Sequence, residues 1–153
     1  MNHALVIVDM QYRFLAARGN KIRSESLKQI QEAKDNNHLI IILEYQSFGR
    51  TLPSIRKMLE DYDNVYYLDK SDCDGSRELV GLFTGLRKWP KNISFLGVNT
   101  NECVQDTVLE FFFYTKRENK NIKVKVIKDC CRHYKSSNSG SFELFEEYGI
   151  EVA

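Results

Sequence analysis

Ile93-Ser94-Phe95-Leu96-Gly97-Val98-Asn99-Thr100-Asn101-Glu102-Cys103-Val104 joins an apolar run, a short polar turn and the opening of a helical pattern. The run ends at Gly97-Val98. Thr100 and Asn101 are both good helix N-caps, because their side-chain oxygens accept from the free N–H groups of a first turn. That placement sets the Cys103 thiol over unpaired backbone donors and the positive end of a helix dipole. A free cysteine titrates near ~8.5 and a helix N-terminus lowers that value, so the sequence predicts a reactive thiolate. The alternative is a plain buried cysteine, since cysteine is among the most buried residue types.

Working outward, two more apolar runs end in residues that carry chemistry. Ala4-Leu5-Val6-Ile7-Val8 stops abruptly at Asp9, followed by Met10-Gln11, and Val65-Tyr66-Tyr67-Leu68 runs into Asp69-Lys70. An acid, a cation and a thiol thus each close a predicted strand. In open α/β sheets that edge is where ligands bind.

The remaining pattern alternates strands and helices. The unbroken apolar runs 4–8 and 39–43 lack period-two alternation, which predicts strands buried on both faces. Further strands are expected over 65–68, 93–98, 122–127 and 150–152. Helices are expected over 26–35, where Ser26 and Gln29 form a capping-box pattern, after Pro53, over 76–88 and from Cys103 to Arg117. A last helix carries Phe142, Leu144, Phe145 and Tyr148 before Gly149, and residues 133–140 read as a serine-rich loop. The fold class is α/β: a three-layer, Rossmann-like arrangement with a six-stranded, mainly parallel sheet and helices on both faces. The broad apolar face of Val104, Val108, Phe111 and Phe112 predicts deep packing on the sheet and suits a subunit contact.

At 153 residues the chain is expected to form a single domain over 1–153, with 42% apolar and 28% charged residues. A net charge of +1 gives no global field for nucleic acid or an anionic membrane. No apolar run approaches the ~20 residues of a membrane helix, and a strand beginning near the N-terminus leaves no room for a leader, so the expected location is cytoplasmic. The four cysteines are Cys73, Cys103, Cys130 and Cys131. Their spacing forms no closed metal site, although Cys130, Cys131 and His133 are close enough in sequence to contribute to one.

The segments 4–14 (ALVIVDMQYRF), Lys70, 96–107 (LGVNTNECVQDT), 124–130 (VKVIKDC) and 149–152 (GIEV) together resemble the isochorismatase-like cysteine hydrolases, a family that includes nicotinamidases and N-carbamoylsarcosine amidase. The resemblance spans nearly the whole chain. It implies a catalytic set of Asp9, Lys70 and Cys103, with the backbone N–H groups of Asn99 and Cys103 holding an oxyanion and a cis peptide at Val98–Asn99. The implied reaction is attack of Cys103 on the C–N bond of a small amide, loss of ammonia or an amine, and hydrolysis of the thioester by water activated by Asp9. Desolvation at the end of an apolar strand would raise the Asp9 pKa into a useful range. Phe14, Tyr45, Arg50 and His133 are substrate-facing candidates because they sit on loops at the same edge. The family also implies a small-molecule substrate and a homo-oligomer.

The chain departs from the family in three places. Nicotinamidases carry an aspartate and histidines after the second strand that bind a metal, whereas residues 44–50 here read EYQSFGR. No metal and no cofactor are therefore expected. Asn99 replaces a usually small residue, and Tyr12-Arg13 replaces the common Asn-Asp before Phe14. A catalytically silent family member serving as a binding or assembly module is the competing reading. A nucleotide-binding domain is disfavoured because no G-x-G-x-x-G follows any strand.

Overall fold

The computed structural model of the protein describes residues 1–136 and 140–153, so the expected loop over 133–140 falls partly outside the described residues. Strands β1 (His3–Val8), β2 (Leu39–Tyr45), β3 (Val65–Lys70), β4 (Asn92–Val98), β5 (Lys123–Arg132) and β6 (Glu151–Val152) form one sheet in the order β3-β2-β1-β4-β5-β6. Every neighbouring pair is parallel. Helices α1 (Asn20–Asp35), α2 (Pro53–Leu59), α3 (Ser76–Leu86), α4 (Gln105–Arg117) and α5 (Ser141–Glu147) cover it.

Alternate residues of a strand point to opposite faces, and β1 shows how the layers divide. Leu5 and Ile7 join Ile22, Ile30 and Ala33 of α1 and Ile55 and Leu59 of α2 on one face. Ala4, Val6 and Val8 join Leu79 and Phe83 of α3, Val108 and Phe111 of α4 and Phe145 of α5 on the other. Both faces are covered, which explains the lack of hydrophobic alternation in β1 and β2. Phe111 anchors α4 with ring centroids 6.0 Å from Phe95 and 6.1 Å from Phe83. Truncating such an aromatic costs about 3–5 kcal/mol.

The strand order places the topological switch between β1 and β4, where a parallel sheet opens its crevice. Gly97 permits the close approach there. Its φ is +134°, and a Cβ would lie 2.0 Å from the Val8 carbonyl oxygen.

Three boundaries differ from expectation. Helix α1 begins at Asn20 with Gly19 as its N-cap, so Ser26 is a buried mid-helix residue rather than a cap. Strand β3 extends to Lys70, putting that lysine on the sheet itself. Strand β5 continues to Arg132 through an irregularity, with Phe95 paired to Val126 but Gly97 to Cys131. β6 pairs with Lys125 and Val126, and the Lys128 N–H donates to the Ala153 carbonyl at 2.8 Å, so among the described residues the part of β5 after Lys128 is an outer edge and tolerates Asp129 and Arg132.

Candidate active site

Asp9 is the first residue beyond β1. Its N–H continues the sheet by donating to the Leu43 carbonyl at 3.0 Å, and its φ of 51° turns the chain away. Aspartate is among the few residues that adopt this left-handed conformation readily. The side chain is wholly buried, as is that of Lys70, and Cys103 is only 3% exposed.

Lys70 ends β3, two strands from β1, and its long stem crosses the end of β2. Its Nζ lies 3.1 Å from Asp9 Oδ2 and donates to the carbonyls of Asp72 (2.9 Å) and Cys73 (3.1 Å). The Tyr45 ring covers the ammonium at 4.2 Å from its centroid. Gly75 leaves room for the stem, because a Cβ there would lie 3.0 Å from Lys70 Cδ. Thr107 fixes this loop to α4. Its hydroxyl accepts from the Gly75 N–H at 2.9 Å and donates to the Cys73 carbonyl at 3.3 Å. Thr107 stands one helical turn after Cys103, so the Lys70 loop is tied to the element that carries the thiol.

Cys103 lies in a π-helical turn, Thr100–Val104, that leads into α4. The Val98–Asn99 peptide before it is cis. Asn99 caps the turn with extended backbone, and its side-chain amide donates to Glu102 Oε2 at 3.0 Å. Such π turns recur at functional sites because they re-aim one side chain within a helix.

The Asp9 carboxylate is poorly solvated by the protein. Lys70 is at ion-pair distance, yet neither Asp9 oxygen has a well-aligned hydrogen-bond donor among the described residues. Desolvation therefore outweighs the opposing pull of Lys70 and Cys103, and the Asp9 pKa rises to about 6. Cys103 moves the same way. Burial and the neighbouring Asp9 carboxylate push its thiol up, with Lys70 only partly offsetting them.

This corrects the expectation of a lowered thiol pKa. A helix end contributes about 0.3–1 kcal/mol, whereas burial shifts a titration by up to ~3–5 units. The resting pair is a thiol beside a carboxylate. Brief iodoacetamide treatment near neutral pH is accordingly expected to label the half-buried Cys73 ahead of Cys103. Peptide mapping that found Cys103 labelled first would overturn that ordering.

A cleft of about 750 Å³ opens beside this turn, and Asn99 and Glu102 line it together with Phe14, Phe48, Arg132 and His133. Of the substrate-facing candidates, Phe14 and His133 lie on the cleft. Tyr45 instead covers Lys70, and Arg50 is exposed and does not line the cleft. Sequence reasoning missed Gln11, which is fully buried. Its side-chain NH₂ donates to the carbonyls of Tyr45 (3.0 Å) and Gly49 (2.6 Å), and its oxygen accepts from the Tyr45 N–H at 2.8 Å. It clamps the loop that brings Tyr45 over Lys70 and Phe48 to the cleft. A second cleft, of about 680 Å³ beside His3 and His38, lies at the opposite end of the strands.

The loop after β2 does not suit a metal. Glu44 Oε2 already accepts from the Thr51 N–H (2.5 Å) and hydroxyl (3.0 Å), and the next side chain is the Tyr45 ring. Cys130 and Cys131 point to opposite faces of β5, Cys130 into the α1 layer and Cys131 toward the other, so they cannot converge. Among the described residues no three His, Cys, Asp or Glu side chains gather to hold a metal ion.

The profile of the isochorismatase domain matches residues 3–152. The chain belongs to the isochorismatase family. It is thus an isochorismatase-like hydrolase by descent, with nicotinamidases and amidases among its structural relatives. A nicotinamidase from Staphylococcus aureus superposes with a TM-score of 0.77 at 21% identity, covering 100% of both chains. N-carbamoylsarcosine amidase from Thermoplasma acidophilum gives 0.78 at 16% identity, over 99% of this chain and 95% of that one. A ribonuclease from Caenorhabditis elegans gives 0.81 at 21% identity, over 99% of this chain and 76% of the other. At these identities the solved structures show the shared fold. No curated protein matches the isochorismatase-family chain. Among its described residues no helix is long and apolar enough to cross a membrane.

Proposed function

We propose that residues 1–153 form one catalytic domain that hydrolyses a C–N bond of a small amide through a thioester on Cys103. The observation that carries this reading is the wholly buried Asp9–Lys70 pair, 3.1 Å apart, in electrostatic contact with the Cys103 thiol. A buried ion pair is weak evidence for stability, and its burial beside a thiol at a strand-end crevice fits a chemical role better.

In the first step the Cys103 proton passes to the Asp9 carboxylate as sulfur attacks the amide carbonyl. The Asn99 and Cys103 N–H groups receive the oxyanion. Protonated Asp9 then gives its proton to the departing amine, leaving a thioester. Water loses a proton to Asp9 and attacks the thioester, releasing acid and free thiol. Lys70 keeps the carboxylate in place throughout and offsets the negative charge that moves between oxygen and sulfur. The raised pKa of Asp9 makes both halves of this exchange accessible near neutrality.

The small-molecule substrate and metal-free chemistry of this reading go with a cytoplasmic, self-associating protein. A structurally similar Escherichia coli hydrolase is an octamer, and here Leu15 (76% exposed), which lines the cleft, and Tyr12 (61%) are large exposed side chains. An ammonia-release screen over small amides, with a chelator present throughout, tests the function. Turnover is expected to survive the chelator. Its kcat/KM should rise with pH through about 6, because protonated Asp9 cannot accept the thiol proton. No ammonia from any amide would favour the silent binding module, and activity restored only by added zinc would refute the metal-free mechanism.

A further inference from the structure

The cleft that Asn99 and Glu102 line, next to the turn carrying Cys103, is electrically lopsided. Arg13, Arg132 and Lys135 line it against one carboxylate, Glu102, in a chain whose net charge is only +1. Among the described residues none of the three cations forms an ion pair. Arg13 is oriented by donating to the Ser47 carbonyl at 2.8 Å, and the Lys135 ammonium lies 5.2 Å from the Tyr134 ring centroid. Glu102 is the less available charge, because its Oε2 accepts from the Asn99 amide at 3.0 Å.

Another part of the lining is aromatic. Phe14 and Phe48 stack at 4.8 Å between centroids with their planes 7° apart. Both line the cleft, and Gln11 holds the loop that carries Phe48. His133 also lines the cleft, and its buried Nε2 has no hydrogen-bond partner among the described residues. Burial holds this imidazole below its ordinary pKa, so near neutrality it is an uncharged polar group rather than a fourth cation.

From this arrangement we infer that the substrate is a planar amide bearing a carboxylate, with Arg13, Arg132 and Lys135 selecting the anion and the Phe14–Phe48 wall contacting the plane. The inference deepens the amidase reading and rests on it for the chemistry, since the amide must reach Cys103. Cations that line one cleft select against a neutral ligand even when each alone contributes little, and their effect is screened by salt. Neutral aromatic amides would meet the same apolar wall but leave the cations with water.

The test compares 4-carbamoylbenzoate with benzamide, which differ by one carboxylate. Calorimetry on Cys103→Ala protein, which cannot turn either over, is expected to show the carboxylate compound binding at least about tenfold more tightly. The gap should narrow at about 0.3 M salt. Arg132→Gln combined with Lys135→Gln should shrink it to about threefold, while Arg132→Lys should retain most of it. Arg132 and Lys135 are exposed, so these changes leave the core intact. Equal affinities, no binding of either compound, or a gap indifferent to salt and to the substitutions would overturn the inference. Wild-type protein assayed in parallel separates the two claims. Selective binding with no ammonia released removes the hydrolase and leaves the anion site, whereas equal turnover of both compounds does the reverse.

Discussion

Cys103→Ala is expected to lower amide turnover by at least about 10⁴-fold while the protein remains folded. Without sulfur there is no covalent intermediate, and the buried Asp9 carboxylate has no thiol to deprotonate. The structural cost is small. Cys103 is 3% exposed, and loss of one sulfur atom leaves a cavity worth about 1 kcal/mol. Steady-state ammonia release and thermal melts on the same preparation check both halves. Residual activity within about tenfold of wild type would mean that another group attacks the substrate.

Lys70→Met is expected to abolish turnover and also to destabilise the fold by about 3–5 kcal/mol, because it leaves Asp9 as an unpaired buried charge. Lys70 is one of the influences lowering the Asp9 pKa, so its removal moves that value further above about 6. The direction of the pH effect is set by that shift. A carboxyl whose folded pKa stands above its ordinary 3.8 favours folding most when protonated, and that contribution is lost as pH rises through the folded value. Denaturant melts of Lys70→Met should therefore show a small deficit at pH near 5 and a large one near 8. Asp9→Asn combined with Lys70→Met should recover much of the stability and none of the activity. A single variant within about 1 kcal/mol of wild type at the higher pH would show that the pair is solvated.

Much of this architecture was legible because strands buried on both faces leave a blunt signature. The runs 4–8 and 39–43 contain nothing polar, so a charged residue at the end of such a strand is conspicuous. Asp9 stood out on that ground, Lys70 and Cys103 were picked out as partners by the family resemblance, and the parallel order brings Asp9 and Lys70 to 3.1 Å. The outer half of β5 was not legible. Beyond the Lys128 N–H bond to the Ala153 carbonyl, no strand among the described residues lies on its far side, so Asp129 and Arg132 read as loop. The first turn of α1 was hidden because its N-cap is Gly19, a residue that more often signals a break. Gln11 lay inside the motif 4–14, yet its role as a clamp was not legible, since the sequence does not reveal that its amide will pair with the backbone of Tyr45 and Gly49.

The thiol was misread for a physical reason. Helix position can be read from sequence, but desolvation depends on what the tertiary fold lays over the residue, and here desolvation dominates. The cleft's charge was equally hidden. Arg13, Arg132 and Lys135 come from distant segments, and only the fold sets them around one opening.

The central claim is that Cys103 becomes acylated. Acid quenching of the protein during turnover of an amide, followed by peptide mass analysis, addresses it directly. The peptide containing Cys103 is expected to gain the mass of the substrate minus its amine, and to lose that mass on treatment with hydroxylamine. Turnover under the same conditions with Cys103 unmodified, or with the adduct on Cys73, Cys130 or Cys131, would contradict it.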